Sequence, residues 1–203
     1  MVAGADVLSG VLSDLTAEGA WLDAVVAGLD DTGWLQPTPA PGWTIAHQVA
    51  HLAWTDDQAL RAATDPEAFA ALARRMLAGE VTVDGAAAEG AALPPPMLLR
   101  RWRAARAELA AALAAVPAGA RLPWYGPPMS APSMATARLM ETWAHGHDVA
   151  EALGVPHPVT SRLRHVAHLA VRTRDFAFTV HGLTPPQDAF AVRLTAPDGS
   201  IWS

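Results

Sequence analysis

The amino-acid sequence predicts a mainly α protein, a helical bundle followed by the start of a small β-containing domain. Three observations carry that prediction. Apolar residues recur at helical spacing through several long stretches. Proline clusters at 37–41, 94–96, 127–128 and 185–186 punctuate the chain between them. After Pro185-Pro186 the pattern changes to a short alternating run, Ala189 to Thr195, followed by a turn sequence.

Each element can be justified in order. Val7, Leu8, Val11, Leu12 and Leu15 set a helical stripe in a first helix over 5–29, which stops at Asp30-Asp31-Thr32-Gly33. Residues 36–42, with three prolines, form an extended loop. Thr44 is a suitable N-cap for a helix from Ile45 to about Thr64. Asp65-Pro66 opens a shorter helix to about Ala78. Residues 79–93, rich in Gly, Ala and acids, read as a mobile connection. The triple proline 94–96 begins a long helix that ends before Pro117, and 118–130 is a loop carrying Trp124-Tyr125. Ser130 or Ser133 caps the central helix, 132–153, which Gly154 ends. Thr160 or Ser161 caps a last helix to about His181. The expected boundary follows residue 184: a helical bundle over 1–184, then 185–203 as the beginning of a truncated C-terminal domain with a strand, a turn and a second strand.

Composition narrows the function. The chain has 203 residues, 51% hydrophobic and 17% charged, enough to bury a core and too apolar for a disordered chain. No apolar run approaches the ~20 residues of a membrane span. The N-terminus lacks the basic flank and apolar core of a signal peptide, so a cytoplasmic protein is expected. The net charge is −6, which argues against nucleic acid as a partner. Arg100, Arg101, Arg103 and Arg106 read as a solvated helix face. Cysteine is absent, so any metal must be held by histidines and carboxylates, and any thiol chemistry must use a thiol on a small molecule.

The chemistry is concentrated in Arg138-Leu-Met-Glu-Thr-Trp-Ala-His-Gly-His-Asp148. Glu141 and His145 are four residues apart, so their side chains leave one helix face a turn apart, and Asp148 joins that face. Such a pair binds a metal ion, exchanges a proton, or makes an ordinary surface contact. Bundle metal sites draw ligands from different helices, and His51 or His47 on the second long helix is the available third donor. His, His and Glu leave a coordination position open, as in catalytic zinc sites. His147 points away from the Glu141/His145 face, and His165 and His168 read as capping or surface residues. Trp43, Trp54, Trp102 and Trp143 read as core or cavity wall.

Pro41-Gly-Trp-Thr-Ile-Ala-His-Gln-Val-Ala-His-Leu-Ala-Trp54, followed by the 138–148 segment, resembles the DinB-like metalloenzyme superfamily. Within it the sequence is most similar to the N-terminal metal-binding domain of mycothiol-dependent maleylpyruvate isomerase. The resemblance covers about residues 5–182. It implies a DinB-like four-helix bundle with an extra short helix, often dimeric, followed by a small α/β domain resembling sterol-carrier proteins. It implies His51, Glu141 and His145 as metal ligands. Asp148 would then orient a ligand imidazole, and His47, Arg138, Trp54 and Trp143 would lie around the pocket. Zn(II) is the expected ion, with Ni(II) or Fe(II) compatible with the same ligands. A low-molecular-weight thiol such as mycothiol is the implied co-reactant, serving isomerisation or transfer on a small electrophile. Two other readings stand beside this one: a non-catalytic metal-binding sensor or interaction bundle, and a bundle that holds no metal. An open coordination position beside a cavity separates the enzyme from both.

Overall fold

The computed structural model describes residues 2–203, with side chains from Asp6 onward. Its helices are α1 (Val2–Val26), α2 (Asp31–Trp34), α3 (Ile45–Thr64), α4 (Pro66–Leu77), α5 (Val83–Ala91), α6 (Pro95–Ala115), α7 (Ala131–Leu153), α8 (Leu163–Arg172) and α9 (Arg174–Val180). Strands β1 (Leu194–Thr195) and β2 (Ile201–Trp202) pair antiparallel, with Leu194 opposite Trp202. The protein is therefore mainly α, and the long helices α1, α3, α6 and α7 form a DinB-like bundle.

Helix α3 is the central element, packing on α4, α5, α6 and α7. It can do so because it is buried on more than one face: Ile45, Val49 and Leu52 are fully buried, and Gln48, His51 and Asp56 on other flanks are buried too. Two apolar clusters result. One gathers Leu22, Val26, Trp34, Ile45, Leu98, Trp102 and Val149; the other gathers Val11, Phe69, Leu109, Leu113 and Met134. Between them α3 and α7 meet through polar side chains, among them Thr55, Asp56, Arg138 and Thr142, all buried. Burying such groups costs several kcal/mol unless each finds a partner. Here Arg138 Nε donates to Asp56 at 2.9 Å, its Nη2 donates to Thr55 at 2.6 Å, and the Thr142 hydroxyl donates to the Arg138 carbonyl at 2.9 Å.

The helix starts follow their local chemistry. Ser130 accepts from the Ser133 N–H to cap α7, and Gly154 ends it in the left-handed region at φ 65°. Three stretches differ from the sequence reading. Residues 79–93 are not a loop, because Thr82 caps α5 by accepting from the Gly85 N–H, and Gly90 lets that helix lie directly on Ala50 of α3. Asp30 caps an extra turn, α2. The last helix is broken at Thr173, whose hydroxyl turns back to the Leu169 carbonyl. Three of the four arginines of α6 are held by carboxylates of neighbouring helices: Arg101 by Asp57, Arg103 and Arg106 by Asp23.

The chain divides into two compact units, residues 1–157 and 158–203, whereas the sequence places the second domain after residue 184. The reason is that α8 faces its own hairpin: Val159, Leu163 and Val166 line one cavity with Leu194 and Trp202. In the second unit the turn between β1 and β2 needs Gly199 at φ 82°.

Candidate metal centre

Helices α3 and α7 bring His51, Glu141 and His145 together in the first unit. One nitrogen of each imidazole and one carboxylate oxygen lie within 4.8 Å of one another. His51 Nε2 is 3.1 Å and His145 Nε2 3.3 Å from the same oxygen, Glu141 Oε2. The two imidazole centroids are 4.5 Å apart, and Trp43 lies over both, stacked on His145 at 5.9 Å with 13° between the planes.

The proton positions follow from the partners. The Gln48 amide nitrogen donates to Asp148 at 3.0 Å and to Thr38 at 2.8 Å. A carboxylate only accepts, so the nitrogen end of the amide must face Asp148. The Gln48 oxygen is thereby turned to His145 Nδ1, which donates to it. His145 consequently offers the lone pair of Nε2 towards the Glu141 carboxylate. Two acceptors 3.3 Å apart repel unless a cation, either a proton or a metal ion, lies between them. The donor set therefore fits a divalent ion on chemical grounds.

The electrostatics point the same way. Burial, opposed by the neighbouring Glu141, pushes the His51 imidazole below its ordinary value, so it is neutral at neutral pH. Burial opposes the charge on Glu141, but the His145 and His51 imidazoles beside it and the nearby Arg138 hold its carboxyl well below the usual range. His51 Nδ1 is buried with no hydrogen-bond partner among the described residues, leaving Nε2 as the atom His51 presents to the cluster.

A cavity of about 530 Å3 opens beside the cluster. His51, Glu141 and Arg138 form its polar side; Trp54, Met76, Leu77, Val83, Trp124 and Tyr125 form much of the rest. Phe69 of α4 props the Trp124-Tyr125 loop, stacking on Trp124 at 5.6 Å and 13°. Burial pushes the Tyr125 phenol up, so it remains a hydrogen-bond donor.

Trp54 and Arg138 line the cavity. The other expected residues stand differently. His47 accepts at Nδ1 from the Thr44 N–H, 3.3 Å away, completing a capping box at the start of α3, and is not among the three converging residues. Asp148 reaches the imidazole only through Gln48. Trp143 is not at the cavity. Two residues beyond Glu141 it is turned roughly 200° around α7 and packs against His147 and His157. Gln48 and Thr38 were not apparent from the sequence. Gln48 lies one turn before His51–Leu52 in the helix-opening motif, and no sequence signal marks it as a partner of His145.

Residues 15–150 match the family model of the mycothiol maleylpyruvate isomerase N-terminal domain. Uncharacterized proteins from two strains of Mycobacterium tuberculosis are 58% identical over 193 residues, covering 95% of this chain and 75% of theirs. Crystal structures of the mycothiol-dependent maleylpyruvate isomerase and of its histidine-to-alanine variant superpose with a TM-score of 0.65. They cover 96% of this chain and 78% of that one, at 16% and 15% identity, a likeness of fold. The chain belongs to the mycothiol maleylpyruvate isomerase N-terminal domain family.

Proposed function

We propose that this protein is a metal-dependent enzyme that uses a low-molecular-weight thiol of the mycothiol kind to isomerise, or to transfer onto, a small electrophile. The observation that carries the reading is the position of His51 and Glu141 on the wall of the 530 Å3 cavity: an ion held by the trio would face space large enough for a substrate. A non-catalytic module needs no such space. Mycothiol dependence is stated for the solved isomerase of the same fold, and a chain without cysteine must take its thiol from outside.

His51, Glu141 and His145 would hold the ion, and Zn(II) suits two imidazoles and a carboxylate. When bound, such an ion lowers the pKa of a thiol or water at its open position. The remaining work belongs to the chain. Burial keeps His51 neutral and able to donate its lone pair. Gln48, itself locked by Asp148 and Thr38, keeps the His145 Nε2 lone pair inward. Trp54 and Trp124 exclude water from the far wall, and the Tyr125 hydroxyl supplies a neutral donor there.

The test is a thiol-dependence assay of the metal-loaded protein with mycothiol and a panel of small electrophiles. Turnover should require both thiol and metal, and Glu141→Ala should lower it by about a thousandfold or more, the scale of losing a principal catalytic group. Turnover that persists in Glu141→Ala, or that needs no thiol, would contradict the proposal.

A further inference from the structure

Among the side chains that line the cavity, Arg138 is the one cation independent of pH, and it is already committed. It is 2% exposed, its Nε is 2.9 Å from Asp56, and its Nη2 donates to Thr55. A guanidinium stays charged, so the buried contact is a carboxylate–guanidinium pair of no net charge. On the metal side, the two charges of a divalent ion would be offset by Glu141 and by one bound thiolate. Among the described residues of these walls nothing is left to neutralise a further anion, and an unpaired buried charge is costly.

The rest of the surface is apolar. Trp54, Met76 and Trp124 are partly buried, and Leu77, Val83 and Tyr125 are exposed around the same cavity. The aromatic side is held in place from behind, since Phe69, 2% exposed, lies 5.6 Å from Trp124 and 5.0 Å from Tyr125 between ring centroids. Leu77 is 90% exposed at the mouth of the cavity. The polar group on offer to a substrate, the Tyr125 hydroxyl, is neutral, since the Thr55 hydroxyl donates to the His51 carbonyl and accepts from Arg138.

We propose that this cavity takes an uncharged, largely apolar electrophile and discriminates against dicarboxylates. The inference rests on the enzyme reading above. A substrate such as an unsaturated ester, ketone or aryl compound would bury its apolar body against Trp54 and Trp124. Its carbonyl would accept from the Tyr125 hydroxyl. The preference is a property of the walls and is read on the metal-free centre, because an ion without its thiolate would leave a positive charge for a carboxylate.

Two ligands of one carbon skeleton test it: dimethyl maleate, uncharged, and maleate, a dianion. Binding of each is titrated calorimetrically at pH 7.5 in thiol-free buffer, on zinc-loaded and on metal-free protein, with metal content measured separately. Dimethyl maleate should bind at least tenfold more tightly than maleate on the metal-free protein. Trp124→Ala should weaken dimethyl maleate by about tenfold, and Met76→Arg, which brings an uncommitted cation to the wall, should reverse the order of the two ligands. Maleate binding as tight as dimethyl maleate on the metal-free parent would overturn the proposal. So would dimethyl maleate binding that survives both substitutions unchanged in folded variants, since that places it elsewhere. Absence of metal in the parent would count against the enzyme reading alone, because the ranking of the two ligands is read independently of it.

Discussion

At the scale of single residues, Gln48 decides which atom His145 offers. Its amide is oriented by Asp148 and Thr38, and its oxygen then holds the proton on Nδ1. Gln48→Leu should leave the fold in place and weaken metal binding by about 10–100-fold, the usual effect of removing a group that orients a ligand imidazole. Competition with a chelating dye measures the affinity. Nitrogen NMR of the metal-free protein should show His145 protonated at Nδ1 in the parent and a mixture of tautomers in the variant. An unchanged tautomer would remove Gln48 from the account.

The pH response also belongs to this scale. His51 is depressed in the folded protein by burial, so the unfolded chain takes up the proton first, near its ordinary value of about 6.5. Its stabilisation is complete above that value and is lost as pH falls through the folded value. Glu141, also depressed, acts in the same direction at lower pH: its stabilisation is complete above about 4.3 and is lost on further acidification. The melting temperature of metal-free protein should therefore fall between pH 7 and pH 5, and fall less in His51→Ala. An equal fall in that variant would assign the acid sensitivity to another group. Legibility at this scale was uneven. Glu141 and His145 could be paired from their four-residue spacing, because a helix repeats every 3.6 residues. His51 could be chosen over His47 only through family resemblance, since the Thr44 capping box that occupies His47 depends on which way the ring turns. Gln48 carried no visible signal.

At the scale of elements, α5 is the instructive case. The Gly/Ala/acid composition of 79–93 reads as a loop, because glycine and alanine leave no stripe for periodicity to find. The same small residues are what allow the helix to lie close to α3. A Cβ on Gly90 would meet the Ala50 Cβ at 2.8 Å. Gly90→Ala gains about 1 kcal/mol of helix propensity, yet the clash should cost ~1–3 kcal/mol. Chemical denaturation should show a net loss, partly restored when Ala50→Gly is added. Stabilisation by Gly90→Ala alone would mean that α5 does not pack against Ala50. Thr82→Ala, which removes the α5 cap, should cost about 1 kcal/mol by the same measurement. Because Val83 of α5 lines the cavity, this helix links bundle packing to the substrate space.

At the scale of the whole molecule, most of the bundle was legible before any coordinates, since α1, α3, α6 and α7 are long, periodic and bounded by caps and prolines. The division at residue 157 was not, because the partner of α8 is a hairpin distant in sequence. What the bundle does with its length is to place a polar layer between two apolar clusters, and the three convergent side chains occupy that layer. Filling it with an ion should stabilise the folded state by about 2.7 kcal/mol at a free concentration one hundred times Kd. A rise in melting temperature should follow added zinc in the parent and be absent in Glu141→Ala.

The most direct measurement of the central claim is elemental analysis of the purified protein beside a variant combining His51→Ala, Glu141→Ala and His145→Ala. The account predicts close to one equivalent of a divalent metal in the parent and none in the folded variant. Metal retained by the variant, or absent from a parent purified without chelator and still absent after dialysis against zinc, would contradict it.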